Sequence, residues 1–177
     1  MSQVGYKSGL SEANTRLGQN IKTRFIGYGL HKGQALGTLK EVPLDQIIEM
    51  PVAENLMAGM AIGLSLKGYL PVVFIERMDF LLNALDAIVN HLDKINLLSN
   101  GQFKPACIIR CIVGNKNKPL YTGATHVQDF SAALREMVSF PVIQLKEASE
   151  IEGAYQLATN NMENGISTIL VEYKDLV

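Results

Sequence analysis

Cysteine is scarce in this 177-residue chain: only Cys107 and Cys111 occur, both within the apolar run ACIIRCIVG. A metal site needs three or four donors, and nothing else in the sequence completes one around these two. They read as buried free thiols. Excess charge is missing too. The formal net charge is −1, which argues against a nucleic acid or other polyanion as partner. No apolar run approaches the ~20 residues that span a bilayer, and the polar N-terminus lacks the apolar core of a signal peptide. The expected compartment is the cytoplasm. The glycine-rich stretch GYGLHKGQALG, residues 27–37, has neither GxGxxG order after its strand nor the Gly-Lys-Ser/Thr of a P-loop, so a phosphate cradle there is unsupported.

What is present is an alternation of strand and helix signals. The apolar fraction of 47% suits an ordinary globular domain. Helices are expected over 11–21 (with Ser11 as cap), 53–66, 79–98 (with Asp79 as cap), 127–137 and 148–164. Strands are expected over 24–28, 46–49, 70–75, 106–113, 142–145 and 168–172, with a polar, glycine-bearing loop over 114–125. Residues 53–66 are apolar almost all round, as in a buried central helix, and Gly68 sits just past its end. Strands separated by helices predict an α/β fold of three layers, a mainly parallel central sheet with helices on both faces. No repeat, low-complexity tract or linker divides the chain, so residues 1–177 read as one domain.

Sheets of this kind bind ligands beyond the carboxyl ends of their strands. Glu54, Phe80 and His126 each follow a predicted strand, which puts all three at one edge. Each also has a plainer reading. Glu54 suits the first turn of a helix on dipole grounds alone, Phe80 suits a core, and His126 suits a helix cap or a solvated loop. His31 and His91 carry weaker signals, one in the glycine-rich stretch and the other inside the long predicted helix.

Several motifs in this order and spacing resemble the pyrimidine-binding domain of thiamine-diphosphate enzymes. The resemblance runs through PVAEN at 51–55, AGMAIGLSLKGYLPVV at 58–73, MDFLLNALDAIVN at 78–90, IIRCIVG at 108–114, THVQDFSAAL at 125–134 and STILVEYKDLV at 167–177. Within the transketolase superfamily they are most similar to the beta subunit of the decarboxylating component of 2-oxoacid dehydrogenases. This resemblance implies the thiamine-diphosphate-binding fold. It makes Glu54 the carboxyl group that hydrogen-bonds the aminopyrimidine and favours its imino tautomer. Phe80 becomes the ring that stacks on the pyrimidine, Met78 and Met57 apolar walls of its pocket, and His126 a catalytic acid–base residue. Arg110 and His31 become candidate substrate contacts, and no metal ligand is assigned to this chain.

The same resemblance implies thiamine diphosphate as cofactor, with magnesium held mainly by a partner. The Gly-Asp-Gly…Asn motif that holds magnesium and diphosphate in the partner domain does not occur in the sequence. The expected assembly is a homodimer for the chain alone and a heterotetramer with a diphosphate-binding subunit, with Met57, Met78 and Phe80 as an exposed apolar wall between them. The expected reaction cleaves or forms a C–C bond beside a carbonyl, on a small 2-oxoacid or ketose. Because the sequence stops at Val177, where the family continues into another domain, a free-standing lyase or carboligase is expected ahead of a dehydrogenase component. Transketolase-type ketol transfer is the alternative within the class, and a non-catalytic assembly or regulatory module the alternative outside it. One departure favours the module: Tyr28 follows Gly27 where the family often has an acid.

Overall fold

The computed structural model describes residues 5–119 and 123–177. Strands form where β-branched and apolar residues run together: β1 (Thr23–Gly27), β2 (Ile47–Glu49), β3 (Leu70–Ile75), β4 (Ile108–Val113), β5 (Val142–Gln144) and β6 (Thr168–Tyr173). They build one sheet in the order β2-β1-β3-β4-β6-β5, and every pairing is parallel. Burial is continuous along β4 and nearly so along β3 and β6, as expected where helices cover both faces.

The helices are α1 (Tyr6–Gly18), α2 (Leu30–Gly37), α3 (Glu54–Leu66), α4 (Met78–Leu81), α5 (Ile95–Leu98), α6 (Ser131–Met137) and α7 (Ala148–Glu163). Side chains of α1, α2 and α7 fill one core with Ile108 and Ile112 of β4. Those of α3, α4 and α6 fill the other with Ile109, Cys111 and Val113. The period-two alternation of a strand therefore assigns each β4 residue to one layer. Both thiols are free and buried; burial pushes the Cys107 thiol up to about 12 and raises Cys111 as well. Among the described residues no helix is long and apolar enough to cross a membrane.

The strand expected over 70–75 is found residue for residue. Other expectations need correction. Helix α1 starts at Tyr6 after an N-cap glycine, so Ser11 lies inside it and caps nothing. The glycine-rich stretch is partly helical. Glu49, at the end of β2, accepts the amides of Gly29 at 2.5 Å and His31 at 2.8 Å, which holds the start of α2. The single helix expected over 79–98 is broken into α4, a 3₁₀ turn at Leu82–Ala84, a π-helical segment at Asp86–Leu92, and α5. Asp79 caps no helix: the N-cap position of α4 belongs to Arg77. The helix expected over 127–137 begins only at Ser131, which leaves His126 in an irregular segment. Of the loop expected over 114–125, residues 120–122 lie outside the described residues.

Candidate cofactor site

Helix α3 begins where the chain leaves β2 and turns through Pro51–Ala53, and its first residue is Glu54. The helix dipole favours a carboxylate there, but an ordinary first-turn acid would be solvated. Glu54 is only 7% exposed. Its Oε2 accepts the Asn83 side-chain amide at 3.4 Å. The same side chain lines a cleft of about 80 Å³ whose apolar walls are Met57, Phe74, Ile75 and Phe80. Glu76, just past the end of β3, adds a second carboxylate, and Tyr28 and Val52 stand at the rim, both more than half exposed.

Phe80 joins this cleft to His126. The two rings meet edge to face, with centroids 5.2 Å apart and planes at 84°, the favourable geometry for an aromatic pair. Thr125 Oγ1 lies 3.1 Å from His126 Nδ1. The backbone of His126 is pressed against the end of β4: a Cβ on Gly114 would sit 1.8 Å from the His126 carbonyl oxygen. Only glycine permits that approach. We expect Gly114→Ala to displace the His126 segment, at a cost of about 1–3 kcal/mol as in an overpacked core. Thermal unfolding of the two chains side by side checks this.

Three of the sequence candidates, Glu54, Phe80 and His126, thus come together at one edge of the sheet. Met57 joins them as a wall. Met78 does not line the cleft: it is fully buried, and its sulfur receives the Phe130 amide at 2.9 Å, so it supports the site from beneath. An exposed wall of Met57 and Met78 is therefore corrected, since both point into the core at 2% and 0% exposure. The exposed apolar residues of this region are Tyr28, Val52, Leu56 and Leu82.

Arg110 is corrected as a substrate contact. It is wholly buried, on the α1 and α7 side of the sheet. Its guanidinium bonds Glu172 through Nε and Nη2 and reaches Asn14 and Thr38. Burial opposes its charge, and the Glu172 carboxylate more than restores it, so its pKa is raised. His31 lies in the first turn of α2 with its side chain exposed and lines neither the cleft nor the adjoining hollow of about 450 Å³ beside Lys32 and Leu36. Reading the sequence missed Glu76 and Asn83. Glu76 obeys the same end-of-strand rule that selected Phe80, and Asn83 lies three residues beyond Phe80, on the same side of a helical turn. Among the described residues no group of three or more His, Cys, Asp or Glu side chains is arranged to hold a metal ion.

The family model of the transketolase pyrimidine binding domain matches residues 4–177. The chain belongs to that family. Among curated relatives, the chloroplastic pyruvate dehydrogenase E1 component subunit beta-3 of Oryza sativa is 30% identical over 128 residues, 72% of this chain and 31% of that protein. The mitochondrial E1 subunit beta of Saccharomyces cerevisiae is 28% identical over 113 residues, 64% of this chain and 30% of that one. The subunit from Rickettsia conorii is 27% identical over 117 residues, 66% and 35% of the two chains. This pyrimidine-binding domain thus spans about a third of the length of the curated relatives it matches. Among solved structures, a chain described as a split gene transketolase in an inactive beta4 tetramer superposes with a TM-score of 0.75 at 18% identity. It covers 98% of this chain and 52% of that one. That likeness establishes the shared fold.

Proposed function

We infer that this pyrimidine-binding domain is one half of a thiamine-diphosphate enzyme that makes or breaks a C–C bond beside a carbonyl. A diphosphate-binding partner supplies the other half and holds magnesium. The observation that carries this reading is the cleft in which a buried carboxylate and an aromatic ring face one cavity, with a histidine against that ring. The donor set suits an aminopyrimidine: Glu54 offers a carboxyl group for a ring nitrogen, Phe80 a π face, and Met57 and Ile75 an apolar floor. When bound, the cofactor supplies the nucleophilic carbon and the electron sink, and the protein supplies orientation and acid–base groups. Glu54 holds or shares a proton at its carboxyl oxygen, with the Asn83 amide fixing one side of it. His126 moves a proton to or from an oxygen of the bound substrate, a small 2-oxoacid or ketose.

The exposed side chains of Tyr28 and Val52 stand at the rim of the cleft, and Leu56 and Leu82, each two residues beyond a cleft residue in sequence, are exposed as well. Apolar surface gathered around a polar site marks an interface, which supports a partner seated over this edge. Closed two-fold symmetry then gives a homodimer for the chain alone and a two-plus-two heterotetramer with its partner. Calorimetric titration of thiamine diphosphate with magnesium tests the reading, first into this chain and then into the chain mixed with a partner bearing Gly-Asp-Gly…Asn. Weak binding alone and tight binding together is the expected result. Tight binding without a partner overturns the divided site, and absence of binding to the mixture overturns the cofactor assignment.

A further inference from the structure

His126 is held in place without help from a helix or strand. Its segment is irregular from Gly123 to Phe130, yet its ring meets Phe80 at a defined angle. Several contacts pin this segment. The His126 carbonyl packs on Gly114, Asp129 Oδ2 accepts the Tyr173 hydroxyl at 3.1 Å and the Gln144 side-chain amide at 3.3 Å, and the Phe130 amide points at the Met78 sulfur. Another joins two side chains: Gln128 Nε2 donates to Asp79 Oδ1 at 2.7 Å. Two of these contacts end on Met78 and Asp79, the residues just before Phe80.

Asp79 is an unusual acceptor. It is 8% exposed, and its Oδ2 has no hydrogen-bond partner among the described residues. A buried carboxylate with an unfilled oxygen is destabilising. An aspartate at a helix start commonly turns to cap free amides; this one makes no cap and faces Gln128. The hydrogen bond to Gln128 accounts for that orientation. Gln128 is itself exposed, so its amide reaches inward from solvent to make the bond.

We propose that Asp79 and Gln128 form a positioning pair that fixes His126 against Phe80. The catalytic consequence rests on the function inferred above, whereas the geometric claim concerns this chain alone. Neither residue lines the Glu54 cleft, so the pair acts on the placement of His126 and leaves cofactor contacts untouched.

The chain contains three histidines, so cross-relaxation between the His126 and Phe80 ring protons can be assigned by NMR on the full chain. In Gln128→Leu these cross-peaks should disappear while thermal unfolding stays cooperative, because Gln128 is exposed. The double variant Asp79→Asn/Gln128→Glu exchanges donor and acceptor and should restore them. In the assembled enzyme, Gln128→Leu should lower kcat about a hundredfold, the effect of misplacing a reacting group by about 1 Å. Thiamine-diphosphate affinity should be unchanged, and the double variant should recover the rate. Intact cross-peaks in Gln128→Leu overturn the proposal, as does a folded double variant that fails to regain them. If the wild-type assembly binds no thiamine diphosphate, the functional reading falls while the NMR comparison still decides the pairing.

Discussion

Replacing Arg110 by methionine is expected to lower the unfolding free energy by about 3–5 kcal/mol, the usual cost of breaking a buried ion pair from one side. The pair has the forked geometry that makes such contacts strong: Nε to Glu172 Oε1 at 2.7 Å and Nη2 to Oε2 at 3.1 Å. Both side chains are at most 1% exposed. The network extends beyond the pair. Tyr155 donates to Glu172 Oε1 at 3.0 Å, and Arg110 reaches Asn14 at 3.2 Å and Thr38 at 3.1 Å. The guanidinium also lies 5.2 Å from the centre of the Phe74 ring. Burial holds the Tyr155 hydroxyl well above its ordinary pKa, so it stays a donor at neutral pH. Removing Arg110 leaves a buried carboxylate with one tyrosine for company. Arg110→Met combined with Glu172→Leu should therefore be less destabilised than Arg110→Met alone, because the uncompensated charge goes with it. Equilibrium urea unfolding of the three chains decides this. A loss below about 1 kcal/mol in the single variant would show the pair to be dispensable.

The same network shows where sequence reading stops. Strand β4 was legible because six consecutive residues, IIRCIV, carry the apolar content of a doubly covered strand. That continuity erases the alternation of polar and apolar residues that would reveal which face each side chain takes. The run therefore does not show which layer Arg110 enters, and the substrate contact that the family resemblance implies for it is not what its buried pairing with Glu172 provides. The break in the expected helix 79–98 was hidden for a related reason. No proline or glycine interrupts those residues, and the π-helical segment is met by a distant side chain: Asn55 Oδ1 accepts the Ala87 amide at 3.2 Å. A tertiary hydrogen bond of that kind leaves no periodic trace. By contrast, the convergence of Glu54 and Phe80 was legible, because a parallel sheet delivers every strand end to the same edge. Met57 lines the cleft as the sequence suggests, but helical spacing cannot tell wall from core for Met78, which is fully buried.

Glu54→Gln should reduce turnover of the assembled enzyme by about 10²–10⁴, the range expected when a positioned acid–base group is lost, and should barely affect folding. The two expectations follow from different properties of one side chain. Glutamine has the same shape, and its carbonyl oxygen can still accept the Asn83 amide that reaches Glu54 Oε2 at 3.4 Å. What folding loses is a negative charge at the start of α3, worth about 0.3–1 kcal/mol. The amide cannot hold and return a proton as the carboxyl does. Chemistry therefore suffers where structure does not, and a plain first-turn acid would give the opposite balance. Turnover and thermal unfolding, read on the same preparation, separate the two roles. If the assembled complex turns over unchanged with Glu54→Gln, the cleft is not a working cofactor site. The domain would then be an assembly or regulatory module that keeps the fold. If turnover falls while the melting curve holds, the buried carboxylate beside Phe80 is the acid–base group of a thiamine-diphosphate enzyme.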